Sequence, residues 1–428
     1  GAFLFGKKFG RKKILPIPCW SHRVYFLMMS QSLYSPSGIR TLGNNEEISR
    51  SESKSNAPGG VSVKFTSSTA GNVTDLAATG TGSVASIAKV QGVAAVTKVS
   101  GKVGVTNGAI TITDANSTSL TAAGTITTVS INNFGAGATI NSGALTSLTI
   151  DGTGSTVNAG TSGALTTATA TTMALNLAGT TSTGAVTLDS DITTVNISSA
   201  TAANTLASLS SSGATAVNIS GSQNLVLTAN TFAATAAITS TSTGNVTLGT
   251  AVAVGQTYTG GSGVDTLTTT TASTKATTLG GGDDVITSTG VFGTGGSLDA
   301  GAGDDTIVMT AAQAATATAS TTFAGKVSGL ETLSVGATGT TATALNMTNA
   351  DGMNIVTSAG FGAALTITNA AAGFTFNQTV LGSVASSITL GDVTGTSDTV
   401  NLGYSATDGF TNSAAITIAG VEILNITT

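Results

Sequence analysis

Three short segments of the chain combine glycine and aspartate in a spacing that suits a hard metal ion. Residues 260–268 read G-G-S-G-V-D-T-L-T, a complete match to the nonapeptide G-G-x-G-x-D-x-U-x, in which U is a large apolar residue. Residues 279–287 (L-G-G-G-D-D-V-I-T) and 300–308 (A-G-A-G-D-D-T-I-V) repeat the pattern with one glycine replaced in each. In every copy one aspartate precedes the apolar residue by two positions, and these aspartates are 19 and 21 residues apart: Asp265, Asp284 and Asp305.

The chemistry that this pattern favours is calcium binding. Glycines allow positive-φ turns that aim main-chain carbonyls inward, and calcium prefers six to eight oxygen ligands in flexible geometry. A spacing of about two nonapeptides would return each loop to the same edge of a coiled chain, so that three stacked loops enclose at most two ions, or fewer if the longer insert before Asp305 breaks the stack. We therefore predict Ca²⁺ as the cofactor, although Gly-Asp turns also occur without metal. The predicted metal-site residues are Gly261, Gly263, Asp265, Gly280, Gly282, Asp283, Asp284, Gly301, Gly303, Asp304 and Asp305.

Residue types that most enzymes need are scarce. The only histidine and the only cysteine are His22 and Cys19, so residues 23–428 hold no histidine for a catalytic triad or a zinc site. From residue 103 onward only Lys275 and Lys326 are basic, against sixteen acidic residues. We therefore predict that the chain is not an enzyme, and that it has no nucleic-acid partner because phosphate would be repelled.

The overall composition is that of a repetitive β-protein. Glycine accounts for 55 of 428 residues, charged residues for 8% and aromatic residues for 4%, whereas hydrophobic residues reach 40%. This hydrophobic content and a net charge of only −5 argue against disorder. Past residue 60 no apolar run approaches the roughly 20 residues that a membrane-spanning helix needs, so we predict no membrane insertion.

Short runs with period-2 alternation recur between glycine-rich turns. The runs place Val, Ile or Leu at every second position, which is typical of strands with one buried face: A-I-T-I-T (109–113), T-V-S-I-N (128–132), S-L-T-I-D (147–151), T-V-N-I-S (194–198) and A-V-N-I-S (216–220). Comparable apolar positions are separated by 19, 19, 27, 20 and 22 residues: Ile112, Ile131, Ile150, Leu177, Ile197 and Ile219. A period near 20 without helix signals predicts an all-β fold, a parallel β-solenoid or β-roll. Immunoglobulin-like sandwiches remain the alternative, although residues 61–257 supply no Trp for their cores.

The composition changes along the chain and suggests four segments. Residues 1–60 contain all four prolines and most of the basic residues. They are compatible with a signal peptide or a basic surface-contacting tail, but we predict a poorly ordered N-terminal extension. Residues 61–256 are predicted to form β-solenoid repeats, residues 257–310 a calcium-binding β-roll segment, and residues 311–428 further β-rich repeats.

Two further patterns add to the nonapeptides. V-S-G-L-E-T-L (327–333) recurs as A-G-V-E-I-L (419–424), with the glutamates 91 residues apart, and S-D-T-V-N-L (397–402) adds another strand. Together with the nonapeptides in a chain rich in Thr, Ala, Gly and Ser, these patterns resemble the surface-layer proteins of Gram-negative bacteria that carry repeats-in-toxin motifs. The resemblance covers roughly residues 61–428, and only the nonapeptides in it are specific.

The resemblance implies a structural function outside the cell. Such proteins leave through a type I channel, form a calcium-dependent two-dimensional lattice of identical copies on the cell surface, and are tethered to lipopolysaccharide, here through a region that this sequence does not display. We therefore expect a secreted, self-assembling surface-layer protein whose main partner is its own copy. The alternative is a type I-secreted adhesin of the same repeat class that binds host or glycan ligands.

Overall fold

The computed structural model describes residues 48–49, 62–65, 73–74, 77–78, 84–90, 95–101, 110–114, 116–117, 119, 122, 124–160, 170–270, 273–288, 295–336, 342–350, 352–360, 362–380, 384–404 and 414–428. Side chains are described from Ile110 onward. The predicted extension over residues 1–60 lies outside the described residues, apart from strand β1 (Ile48–Ser49), which pairs antiparallel with the next strand.

The described part of the chain is a parallel β-solenoid of about 12 turns, which we call coils. Successive coils contribute strands to the same series, and the strands within a series pair in parallel. The first series consists of β2 (Ser62–Phe65), β5 (Val84–Val90), β7 (Ile110–Asp114), β9 (Ala138–Asn141), β11 (Val157–Gly160), β14 (Asn204–Ser210), β16 (Leu225–Leu227), β17 (Asn230–Thr231), β19 (Val246–Leu248), β21 (Asp265–Thr269), β23 (Val285–Ser288), β25 (Thr306–Met309), β27 (Thr332–Val335), β29 (Ile355–Ser358), β31 (Phe374–Gln378), β33 (Thr399–Tyr404) and β35 (Ile423–Thr427).

The coils also contain a second strand series and, towards the C-terminal part, a separate sheet. The second series consists of β3 (Val73–Thr74), β4 (Ala77–Ala78), β6 (Ala95–Gly101), β8 (Thr128–Asn132), β10 (Ser147–Gly154), β13 (Thr194–Ser199), β15 (Ala216–Gly221), β18 (Ala237–Ser240), β20 (Thr257–Thr259), β22 (Ala276–Thr278), β24 (Ser297–Asp299) and β26 (Val327–Ser328). The long strand β12 (Thr172–Leu188) belongs to both the first and the second series. Beyond β26 a separate sheet forms from β28 (Thr343–Asn346), β30 (Leu365–Ala370), β32 (Ser386–Leu390) and β34 (Ile416–Ala419).

The interior of the solenoid is filled by columns of apolar side chains. Val195, Val217 and Ile238 occupy successive coils in register, and all three are buried. The outward positions between them carry Thr, Asn and Ser, so each strand buries one face only. Because every coil repeats the same alternation, parallel in-register pairing places apolar residues over apolar residues and polar residues over polar residues.

The predicted solenoid is confirmed, and the five predicted runs all lie in or overlap strands. The predicted alignment of apolar positions is only partly right. Ile131, Ile150 and Leu177 stack as expected, but Ile112 pairs with Ile140 in the first series instead. Ile197 aligns with Leu175 and not with Leu177. Both series carry the same period-2 pattern, which is why the sequence did not reveal which series a strand joins.

Short helices interrupt the strands between β25 and β29. They are α1 (Ala311–Thr318), α2 (Thr321–Ala324) and the 3₁₀ turn η1 (Met347–Asn349). Helix α1 begins with a capping box between Thr310 and Gln313. The Thr318 hydroxyl at its end accepts the main-chain N–H of Asn346 in β28. No helix among the described residues is long and apolar enough to cross a bilayer.

Candidate metal centre

The three nonapeptide aspartates lie in one column of the first strand series. Thr266 pairs with Val285, and Val285 pairs with Thr306, so the residues just before them occupy successive coils. We call Asp265, Asp284 and Asp305 the acidic column. The longer insert before Asp305 does not break the stack, because β23 and β25 keep their register across it.

A hydrogen-bond ladder connects the members of the acidic column. Asp284 Oδ1 accepts the main-chain N–H of Asp265 at 2.6 Å, and Asp305 Oδ1 accepts that of Asp284 at 2.7 Å. The three side chains are at most 1% exposed. The second carboxylate oxygen, Oδ2, is buried in all three and has no hydrogen-bond partner. Each of these coils therefore presents one buried carboxylate oxygen without a hydrogen bond of ordinary geometry to the protein.

Asp114 shows how the same fold satisfies a buried carboxylate with protein groups alone. Its Oδ1 accepts the main-chain N–H of Asn116 at 2.9 Å. Its Oδ2 accepts the N–H groups of Thr125 and Ile126 at 2.6 and 2.7 Å. The Ser142 hydroxyl adds a further bond at 3.2 Å. Because burying an unpaired charge is costly, the unpartnered oxygens of the acidic column fit a bound cation, whereas Asp114 needs none.

The glycines of the loops make close stacking of the coils possible. Gly280 and Gly301 have φ angles of 101° and 99°, as expected for positive-φ turns. The first loop uses glycine for a different reason, because a Cβ on Gly261 would lie 2.2 Å from the Ser242 carbonyl oxygen. A Cβ on Gly303 would lie 2.0 Å from the Gly282 carbonyl oxygen. Side chains at these positions would push main-chain carbonyls of neighbouring loops apart.

The two other predicted aspartates lie on the outside of the loops. Asp283 and Asp304 are exposed, and the Asp304 main-chain N–H donates to Asp283 Oδ1 at 3.0 Å. Within the described residues no three acidic, histidine or cysteine side chains converge on one point. A cation bound here would therefore take carboxylates from two neighbouring coils and complete its shell with main-chain carbonyls of the loops.

Burial governs the electrostatics of the acidic column. It raises the pKa of Asp284 to about 7, and repulsion from Asp265 and Asp305 acts in the same direction. Burial raises the pKa of Asp265 and of Asp305 to about 6. Without a cation, the column therefore favours partly protonated carboxyl groups near neutral pH.

Tyr258 is a neighbour of the column that the sequence did not reveal. Its buried hydroxyl lies close enough to the Asp265 carboxylate to lower the pKa of that group as a hydrogen-bond donor, although the contact falls outside ordinary hydrogen-bond geometry. Burial and then the Asp265 charge raise the pKa of the Tyr258 hydroxyl far above its ordinary value. An inward-facing tyrosine in the T-Y-T run just before the first nonapeptide is the signal that would have identified it.

In the presence of chelator, the free energy of unfolding is expected to fall as the pH rises from about 4 to about 7. The folded carboxyl groups keep protons that the unfolded chain has already released, so folding is favoured below this window and loses that advantage as the pH passes the folded pKa values. Bound calcium should reverse the trend because only ionised carboxylates bind it. Thermal melts across this pH range, with calcium and with chelator, check the prediction; a chelator curve that rises with pH would contradict it.

Comparison with known proteins supplies no family for the chain. No protein-family model matches it, and no curated protein matches it. The features of the molecule that bear on its function are the acidic column and the surface of the solenoid.

Proposed function

We propose that this protein is a calcium-binding structural protein of a bacterial surface layer, secreted and self-assembling into a two-dimensional lattice. Calcium supplies a divalent positive charge and a flexible oxygen coordination shell when bound. The residues that would hold it are the carboxylates of Asp265, Asp284 and Asp305 and the main-chain carbonyls of the three glycine-rich loops. The observation that carries the proposal is the row of buried, unpartnered Oδ2 atoms in consecutive coils.

The surface of the solenoid supports the assembly part of the proposal. Between residues 152 and 264 only Asp189 and Asp191 are charged. The outward strand positions there carry small hydroxyl and amide side chains, for example Thr194, Asn196 and Asn218. A surface with so little charge offers weak electrostatic repulsion between copies, which favours association.

The resemblance to calcium-dependent surface-layer proteins supports the same reading. It rests on the nonapeptides, whose aspartates form the acidic column, and on the repeated G-L-E and G-V-E segments around Glu331 and Glu422. Large adhesins of the same repeat class share these features, so a secreted adhesin is the competing function. A lattice protein binds copies of itself, whereas an adhesin binds a separate ligand, and this difference is measurable.

The test is assembly of the full chain in three buffers: millimolar calcium, sodium chloride at equal ionic strength, and chelator. Light scattering and negative-stain electron microscopy are expected to show regular two-dimensional arrays in calcium alone, because divalent cations bind carboxylates while sodium only screens their repulsion. Monomers in all three buffers would overturn the lattice function. Monomers that bind a glycan surface in calcium would support the adhesin instead.

A further inference from the structure

The acidic column continues beyond the last nonapeptide. Thr306 pairs with Thr332, which places Glu331 in the coil after Asp305 at the same position of the strand series. Between Asp305 and Glu331 the chain inserts both helices α1 and α2, yet the register is kept. Glu331 belongs to the segment V-S-G-L-E-T-L and to no nonapeptide.

Glu331 makes the same contact as the members of the column. Its Oε2 accepts the main-chain N–H of Asp305 at 2.7 Å, as the carboxylate of Asp305 does for Asp284. Gly329, two residues earlier, has a φ of 70°, and a Cβ on it would lie 2.6 Å from the main-chain nitrogen of Gly301. The approach of this coil to the preceding loop therefore requires glycine, as it does within the nonapeptides.

Unpartnered oxygens lie in the coils on both sides of Glu331. In the coil before it, Asp305 is fully buried and its Oδ2 has no hydrogen-bond partner. In the coil after it, Thr332 pairs with Ile355, which places Asn354 next in the column. Asn354 Oδ1 is buried and also lacks a partner.

The run of oxygen-bearing side chains along the column is bounded on each side by an apolar residue. Val246 pairs with Asp265 at the start of the column. By the register of β29 and β31, Phe374 follows Asn354. Five consecutive coils thus carry Asp, Asp, Asp, Glu and Asn at a position that its neighbours fill with valine and phenylalanine. Two coils before Val246 the same position holds Asn204, but the Oδ1 atom of Asn204 accepts the main-chain N–H of Thr180, whereas the column holds Oδ2 atoms and an Asn354 Oδ1 atom without partners.

We propose that a further divalent cation binds between the coil of Asp305 and the coil of Glu331, with Glu331 as its additional carboxylate ligand. This inference rests on the proposed binding of calcium to the nonapeptide loops and extends it by one coil. The second glutamate of the repeated motif makes a related contact at a more open position, where Asp398 Oδ2 is also buried and unpartnered. Glu422 accepts the Asp398 N–H at 3.0 Å, but Glu422 is exposed and Asp398 is only half-buried.

The test is calcium stoichiometry of the full chain by equilibrium dialysis, compared among wild type, Glu331→Gln and Asp299→Asn. Glutamine keeps an oxygen for the Asp305 N–H but removes the charge, so one calcium equivalent per chain is expected to be lost. Asp299 is an exposed aspartate of the neighbouring strand β24 that bonds the Ser328 hydroxyl, and its loss is expected to leave the stoichiometry unchanged. Thermal melts in chelator show whether each variant folds; Glu331→Gln is expected to melt no lower than wild type because it removes charge next to Asp305.

The possible outcomes separate the role of Glu331 from the proposed calcium binding by the nonapeptide loops. If the wild type binds calcium and Glu331→Gln binds the same number with the same affinity, the inference is wrong and the nonapeptide sites remain. If Asp299→Asn loses as much calcium as Glu331→Gln, the effect is one of general charge, and Glu331 is not a ligand. If the wild type binds none, the proposed calcium function fails as well. If Glu331→Gln melts lower than the wild type in chelator, the second variant Glu331→Asp provides the test, because it keeps the charge on a shorter side chain. One calcium equivalent is then expected to bind Glu331→Asp more weakly than it binds the wild type, and an unchanged affinity would contradict the inference.

Discussion

Saturating calcium is expected to raise the melting temperature of the protein by at least about 5 °C over its value in chelator. Without a cation, the acidic column buries three carboxyl groups whose Oδ2 atoms have no partner. At a free calcium concentration of about 100 times the dissociation constant, each independent site adds about 2.7 kcal/mol to the free energy of unfolding. Differential scanning calorimetry in calcium and in chelator measures the difference.

Magnesium provides the control for this effect. It requires nearly octahedral geometry and gives up water reluctantly, so a row of loop carbonyls and carboxylates should favour calcium over magnesium. An equal rise of the melting temperature with both ions would indicate general charge neutralisation. Identical melts in calcium and in chelator would show that the acidic column holds no calcium.

Replacing Asp284 with asparagine is expected to weaken calcium binding but to stabilise the calcium-free protein. Asp284 is the middle member of the column, and its charge is repelled by Asp265 and Asp305. In calcium, Asp284→Asn is expected to weaken binding by at least about tenfold, or about 1.4 kcal/mol, because a carboxylate ligand is lost. In chelator, the same variant is expected to melt higher than wild type because the repulsion is relieved. A residue with a purely structural role would destabilise in both buffers.

Asp151→Asn is the matched control for that substitution. Asp151 also lies in a solenoid strand and accepts a hydrogen bond from the Asn132 side chain, but it is outside the acidic column. Titration calorimetry should give it the calcium affinity of the wild type. Equal affinities for Asp284→Asn and Asp151→Asn would remove Asp284 from the site.

The alternation of apolar and polar residues was sufficient to predict the solenoid. The run at 128–132 corresponds to β8 residue for residue, and the run at 194–198 lies within β13. Helix α1 was missed because the repeat suggested strands throughout. The Thr310–Gln313 capping box before an alanine-rich run was a usable signal for this helix. The alignment of Ile112 failed because alternation identifies the buried face of a strand but not its partner strand.

The acidic column was predictable only where a motif repeats at nearly constant spacing. Asp265, Asp284 and Asp305 are 19 and 21 residues apart, so their stacking followed from the period. Glu331 is 26 residues from Asp305, with α1 and α2 between them, and therefore falls outside that period. The unpartnered state of Asn354 Oδ1 depends on where neighbouring donors lie in space, which no local sequence pattern encodes.

The helical segment between β25 and β26 shows that this architecture accommodates connections of different length. Column positions are spaced 19, 21 and 26 residues apart along the chain, yet their register is the same. The extra length of the last interval is taken up by α1 and α2, and Ala319 between them is exposed. Helix α1 is held by its buried alanines and by Thr318, so the exposed turn at Ala319 is the place where this connection is least constrained. A short peptide inserted at Ala319, such as a tag for imaging, is therefore expected to leave the register of the acidic column unchanged.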